Sequence, residues 1–169
     1  DHIPCGYSGI CSNGKMLLLS TVCRKNGGDM IYTSTDSGES WKIIMNGLDY
    51  SRFDWNIPYM KPQYNGGGNC VHWISDIKLS PFDSDTALFN TGTGLFMITG
   101  LASGDVLVKP FCEGIEETVH LNVYTTPHGR NRIIDIIGDL GGFAFEDYDS
   151  ECENSFANEN GDRYITCLN

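Results

Sequence analysis

Residues 34–41 read Ser34-Thr-Asp36-Ser-Gly38-Glu-Ser40-Trp41, and this stretch decides the fold. The Asp36 carboxylate can accept backbone N–H hydrogen bonds across a tight turn, and Gly38 can supply a positive φ. The Trp41 ring can then cover the corner. The stretch therefore predicts a β-hairpin corner stabilised by Ser34, Asp36, Gly38 and Trp41. A catalytic acid at Asp36 is the alternative interpretation, and the structural turn is preferred.

Short β-rich runs, separated by turns of Gly, Asp and Asn, lie on both sides of this corner, and helical periodicity is nearly absent. Leu88 and Ile134 occupy equivalent places in two similar runs and are 46 residues apart. That spacing is close to the roughly 40–50 residues of one four-stranded propeller blade. The pattern S-x-D-x-G-x-S-W, called an Asp-box, is also typical of β-propellers. The predicted fold class is all-β, with two to three consecutive propeller blades. The predicted strands cover residues 16–22, 29–35, 40–45, 73–80, 86–91, 95–99, 106–109, 117–125, 132–137 and 143–146.

Composition excludes several classes of protein. The chain has 169 residues and a formal charge of −11, which argues against nucleic acid or an anionic membrane as partner. No apolar run approaches the roughly 20 residues of a membrane span. Seven cysteines favour an oxidising, extracellular location with disulfides, and the odd number leaves one thiol free or paired elsewhere. No C-x-x-C spacing occurs and the four histidines show no ligand spacing, so neither a metal nor a cofactor is predicted.

The segment 46–72 is an insert rich in aromatic residues, among them Trp55, Tyr59 and Tyr64, with acidic residues between them. Aromatic rings stack on the C–H faces of sugars, and carboxylates accept hydrogen bonds from sugar hydroxyls. These three rings are therefore candidate substrate-binding residues. Packing against a neighbouring domain explains the same composition equally well.

Two acidic segments are candidates for chemistry. Glu116 and Glu117 could act in acid–base catalysis or bind hydroxyls, or they could form a solvated, turn-capping cluster. Asp139 follows the predicted strand 132–137, and the flanking Gly141 and Gly142 would let a bulky ligand approach it. A turn aspartate that bonds its own backbone is the alternative for Asp139.

Three ordered motifs resemble those of glycoside hydrolase family 74, the xyloglucanases and oligoxyloglucan-specific cellobiohydrolases. The run Trp73-Ile-Ser-Asp-Ile-Lys-Leu-Ser-Pro-Phe-Asp-Ser-Asp85, with Leu88-Phe-Asn-Thr-Gly92, resembles W-x-x-D-x-x-I-D-P-F-x-x-D…L-Y-x-T-G. Gly114-Ile-Glu-Glu-Thr-Val119 resembles G-x-E-E-T-A, and Gly138-Asp-Leu-Gly-Gly-Phe143 resembles G-D-x-G-G-F. The family pattern then continues R-H-D, where this chain has Ala144 and Phe145 in place of the Arg and His.

The resemblance implies two seven-bladed propellers with Asp-box repeats and a substrate cleft between them. It implies inverting hydrolysis of a β-1,4-glucan backbone by two aspartates, with Asp139 as general acid and the base outside this chain. Residues 1–110, with the insert 46–72, would be the last blades of one propeller, and 111–169 the start of the second. The chain is thus expected to be a secreted segment that needs the rest of its parent protein and is inactive when isolated.

Two other functions are consistent with the same sequence. One is a propeller module without catalytic activity that binds a glycan or a protein. The other is a segment of a sortilin-like receptor. Under the favoured interpretation the partner is a polysaccharide, xyloglucan or a related β-glucan.

Overall fold

In the computed structural model, the structure describes residues 6–23, 28–47, 49–57, 60, 71, 73–115, 118–138, 141–150 and the backbone of 154–155. These residues form β-strands and one 3-10 helical turn, Tyr50–Arg52, so the all-β prediction is confirmed. The strands are β1 Gly6–Ser12, β2 Leu17–Val22, β3 Met30–Ser34, β4 Lys42–Asn46, β5 Asp76–Leu79, β6 Ala87–Thr91, β7 Gly94–Thr99, β8 Leu107–Pro110, β9 His120–Thr125, β10 Ile133–Ile137, β11 Gly141–Phe145 and β12 Asn154–Ser155.

The strands form three antiparallel sheets of four strands, each in simple sequential order. β1–β4, β5–β8 and β9–β12 are the three sheets, which is the form predicted for propeller blades. Leu88 lies in β6 and Ile134 in β10, the second strand of each blade. The 46-residue spacing therefore does join equivalent positions of two blades.

Two strands were missing from the sequence prediction. β1 reads Gly-Tyr-Ser-Gly-Ile-Cys-Ser, and β12 has only two described residues. β1 lacks the apolar alternation that marks a strand, and its ladder with β2 shifts register between Tyr7 and Gly9. Gly141 and Gly142, predicted to be turn residues, instead begin β11.

The described residues divide into two compact units. The first unit contains β1–β8, and the second contains β9–β12. In the first unit, β5 packs against β1 and β2, and Gly9 makes this approach possible. A Cβ at Gly9 would lie 2.8 Å from the backbone nitrogen of Ile77, closer than packed atoms allow.

The core of the first unit is formed by apolar side chains from both of its blades. Alternate residues of each strand point inward, as expected for strands with one buried face. Leu18 and Ile31 supply the core face of the first blade, while Ile77, Phe89 and Phe96 supply that of the second. The Phe89 and Phe96 rings stack with their centroids 5.2 Å apart. One apolar cluster thus joins the two blades.

The carboxylate of Asp29, fully buried in the β2–β3 connection, links the two blades by hydrogen bonds. It accepts hydrogen bonds from the Thr21 hydroxyl at 3.1 Å, the Cys23 N–H at 3.2 Å and the Ile74 N–H at 3.1 Å. The Asp29 N–H donates to the Val71 carbonyl at 3.0 Å. A buried carboxylate is stable only when such donors surround it, so Asp29 fixes the chain that enters β5.

Replacing Asp29 by Ala is expected to destabilise the first unit by about 3 kcal/mol or more, because it leaves buried donors without an acceptor. Thermal unfolding and hydrogen exchange of the Cys23 and Ile74 amides measure this effect. Asp105→Ala, a change at an exposed turn residue, is the control and should alter stability by less than about 0.5 kcal/mol. Equal melting temperatures for Asp29→Ala and the control would contradict the role of Asp29.

Candidate functional site

The stretch Ser34–Trp41 forms the corner between β3 and β4. Asp36 accepts hydrogen bonds from the Ser40 N–H at 2.9 Å and from the hydroxyls of Ser40 and Ser34. Gly38 has a φ of 93°, and the Trp41 indole N–H donates to the Gly38 carbonyl at 3.1 Å. The bonds from Ser40, and then from Ser34, lower the pKa of Asp36 to about 2. The Asp36 carboxylate is therefore engaged in the turn and poorly suited to donate a proton. That this corner recurs in other blades stays a prediction.

Among the predicted sugar-stacking rings, Trp55 is described and lies partly buried in an aromatic cluster of the first unit. It stacks on Phe53 with ring centroids 5.0 Å apart and meets Tyr50 and Phe96 edge-on. Trp55 thus packs within its own unit, and its role as a sugar-stacking ring stays a prediction. Tyr59 and Tyr64 lie outside the described residues.

A different tryptophan is presented at the surface of the first unit. Trp73 is 57% exposed and has a φ of 59°, which is rare for a bulky residue. Its indole N–H lies 2.9 Å from the Cys23 sulfur, and the neighbouring Ile74 N–H is bound by Asp29. A Cβ at Gly92 would lie 3.4 Å from the Trp73 ring, so the indole rests on the β6–β7 turn. Its exposure gave no signal in the sequence, because Trp73 begins the predicted strand 73–80.

Three of the predicted acidic residues, Glu116, Glu117 and Asp139, lie outside the described residues. Asp139 directly follows Gly138, whose N–H donates to the Val119 carbonyl at 2.8 Å. Gly141, the first residue of β11, has a φ of 88°, and a side chain there would be strained. In the sequence, Asp139 thus lies between Gly138, which follows β10, and Gly141, which begins β11.

A hydrogen-bonded chain of three side chains lies in the β9–β12 sheet, at the end where β10 ends and β11 begins. His120 Nδ1 lies 2.8 Å from Asp135 Oδ2, and His120 Nε2 lies 2.8 Å from the Thr118 hydroxyl. Asp135 is 8% exposed, while the His120 side chain is 53% exposed. The spacing of these residues fits no ligand or catalytic motif, so no role could be predicted for them from the sequence.

Positions 144 and 145, where this chain departs from the family pattern, lie in β11. Ala144 is buried and pairs with Ile134, and the Phe145 ring lies 6.4 Å from that of Phe143. Neither side chain offers a hydrogen bond to a ligand.

The described cysteines include Cys11 and Cys23, which form no disulfide. Burial raises the pKa of the Cys11 thiol, which makes it less reactive. Cys5, Cys70, Cys152 and Cys167 lie outside the described residues, so the disulfides stay a prediction. In the described part of the chain, no three His, Cys, Asp or Glu side chains are grouped to hold a metal ion. The same part contains no helix that is long and apolar enough to cross a membrane.

A solvent-open groove of about 530 Å³ runs along β4 in the first unit. Its polar lining includes Lys42, Asp49 and Arg52, and Arg52 donates to the Gly104 carbonyl at 3.1 Å. Of the described residues with a predicted site role, Ser34 alone lines it. Trp73 is not among the residues that line the groove.

No protein-family model matches the chain. Curated relatives include xyloglucanase Xgh74A of Acetivibrio thermocellus, 29% identical over 138 aligned positions that cover 70% of this chain and 16% of the relative. A xyloglucanase of Paenibacillus is 23% identical, with coverage of 92% and 17%. An oligoxyloglucan-reducing end-specific xyloglucanase of Emericella nidulans is 24% identical, with coverage of 86% and 22%. The chain thus spans about a fifth of the length of these relatives.

Solved structures show the same fold. The GH74 xyloglucanase from Xanthomonas campestris superposes with a TM-score of 0.72 at 22% identity, covering 90% of this chain and 21% of that one. The GH74 enzyme of Niastella koreensis gives a TM-score of 0.64 at 22% identity, covering 82% and 20%. The resemblance to glycoside hydrolase family 74 and the β-propeller fold are confirmed by these comparisons.

The low pKa of Asp36 predicts a specific pH dependence of stability. Because the folded-state pKa is about 2, below the ordinary 3.8, the stabilisation is complete above the ordinary value and is lost as pH falls toward 2. Asp36→Asn removes this pH-dependent stabilisation. The melting temperature of the variant should therefore fall less than that of the wild type between pH 4 and pH 2. Asp105→Asn is the control and should follow the wild type. Parallel pH curves for Asp36→Asn and the wild type would contradict the assignment.

Proposed function

We propose that this chain is a segment of a secreted, xyloglucan-degrading glycoside hydrolase, which cleaves the β-1,4-glucan backbone with inversion. The observation that carries the proposal is the ordered set of motifs on blades of the GH74 propeller fold. The curated relatives bear xyloglucanase names, and this chain aligns with about a fifth of each. The chemistry would belong to the intact protein.

Asp139 is the residue proposed as general acid. Inverting hydrolysis needs two carboxyl groups about 6.5–9.5 Å apart, with the attacking water between the base and the sugar. Asp139 would protonate the leaving glycosidic oxygen, and a carboxylate from outside this chain would activate the water. The match of residues 138–143 to the family's G-D-x-G-G-F segment supports this role.

Trp73 is an exposed aromatic residue of the first unit that is suited to stack on a sugar. Its ring is exposed, while its backbone is held by the bonds around Asp29 and its indole rests on Gly92. A ring fixed in this way loses little freedom when a ligand binds. The formal charge of −11 fits a neutral polysaccharide better than an anionic one.

A propeller module that binds glycan without cleaving it is the alternative function. Ala144 and Phe145 favour it, because the Arg and His of the family pattern are replaced by side chains without hydrogen-bonding groups. Such a module would bind xyloglucan and release no reducing ends.

Asp139→Asn in the intact protein is expected to abolish release of reducing ends from tamarind xyloglucan, because an amide cannot donate the proton at the leaving oxygen. Circular dichroism and the melting temperature should stay unchanged. Asp147→Asn, which changes an exposed aspartate after β11, is the matched control and should keep full activity. Hydrolysis at the wild-type rate by Asp139→Asn would rule out its role as general acid.

Trp73→Ala and Trp55→Ala are expected to change different properties of the protein, the first its binding of xyloglucan and the second its stability. Trp73→Ala should weaken xyloglucan binding about tenfold with little change in stability, since it removes an exposed stacking surface. Trp55→Ala should mainly lower the melting temperature, by removing about 3 kcal/mol of packing in the aromatic cluster. Calorimetric titration and thermal unfolding of both variants measure the difference. The reverse pattern would place the sugar platform at Trp55.

A further inference from the structure

We propose that His120 binds a hydroxyl group of the glycan at the end of the sheet where β10 ends, and that Asp135 and Thr118 are positioning residues for its imidazole. The inference deepens the proposed function and takes the class of ligand from it.

The first support is the place of His120 in the sheet. His120 begins β9, and its partner across the ladder is Ile137, the last residue of β10. The Gly138 N–H is bonded to the carbonyl of Val119, the residue just before His120. Asp139 follows Gly138, so His120 lies at the end of the sheet where the predicted acid leaves β10.

The second support is that both ring nitrogens of His120 have a hydrogen-bond partner. Nδ1 lies 2.8 Å from a carboxylate oxygen of Asp135 and therefore carries a proton, which it donates. Nε2 lies 2.8 Å from the Thr118 hydroxyl. An exposed imidazole would ordinarily rotate, and here it is held in one orientation before any ligand arrives.

The third support is the burial of Asp135. Its partners across the ladders are Val123 and Phe143, and Ile133 and Ile137 lie two residues away on its own strand. Its Oδ1 is buried and has no hydrogen-bond partner among the described residues. A buried carboxylate with one partner is a poor way to stabilise a sheet, since apolar side chains in the same place do as well or better. A buried oxygen without a partner calls for an explanation other than stability, and positioning of the exposed imidazole supplies one.

The chemistry of the exposed end selects the ligand. Because a hydroxyl hydrogen rotates, the Thr118 hydroxyl can turn from Nε2 to a ligand; the hydroxyl then offers one donor and Nε2 one acceptor, side by side. A sugar hydroxyl both donates and accepts, so it matches this pair. An anionic ligand would be disfavoured by the Asp135 carboxylate beneath the ring and by the overall charge of −11.

The test uses the intact protein and the oligosaccharides released from tamarind xyloglucan as probe. His120→Asn keeps an amide N–H near Asp135 and removes Nε2, so the sheet should stay folded. We expect its dissociation constant and KM to rise about tenfold, with kcat changed less than about twofold. A purely structural residue would lower the melting temperature without this separation of KM from kcat.

A second variant keeps the test decisive if His120→Asn does not fold. His120→Val with Asp135→Val replaces the pair by apolar strand formers, which should preserve the fold and weaken binding to the same extent. Glu146→Gln is the matched control: it breaks the ion pair with Arg130 at the opposite end of the same sheet and should leave binding unchanged.

The outcomes separate the inference from the proposed function. If the wild type hydrolyses xyloglucan and both His120 variants bind it with wild-type affinity, the inference is overturned and the hydrolase proposal stands. If the wild type binds the oligosaccharides without cleaving them and the variants bind about tenfold more weakly, the inference stands and the hydrolase proposal fails. Failure of the folded wild type to bind the oligosaccharides at all overturns the inference as well.

Discussion

The buried carboxylate of Asp29 is the constraint on which the first unit depends. A carboxylate without solvent must be surrounded by donors, and the donors here come from two blades: Thr21 and Cys23 from the first, Ile74 from the chain that enters the second. These hydrogen bonds thereby fix the path of the chain between the two blades. Trp73 lies on that path, and its left-handed backbone is held by the same set of bonds. Exposure of its ring therefore depends on a buried charge.

Most of the fold could be predicted from local sequence, because turns and strand alternation are encoded by neighbours along the chain. The corner at Ser34–Trp41 is the clearest case, since each of its bonds joins residues at most four positions apart. β1 could not be predicted in this way. Its residues are small and its ladder is irregular, and what makes it a strand is pairing with β2 and packing on β5.

The site was less predictable, because its chemistry depends on side-chain burial and strand pairing, which the sequence does not show directly. Trp55 and Trp73 are the same type of residue, yet Trp55 packs on Phe53 and Phe96 and Trp73 is exposed. His120 and Asp135 meet only because β9 and β10 are neighbours, with a shift of register at the end of the ladder. The assignment of Asp139 stays a prediction and rests on a different ground, the resemblance of its glycine-rich segment to a family motif.

The central claim is that this chain supplies the acid half of an inverting site. It is tested most directly by the stereochemistry of the product, because inversion at a β-1,4 linkage releases the α-anomer first. Proton NMR of tamarind xyloglucan digested by the intact protein records which anomer appears before mutarotation. The account predicts early signals of the α-anomer. Early β-anomer signals, or no new reducing ends after prolonged incubation, would contradict it.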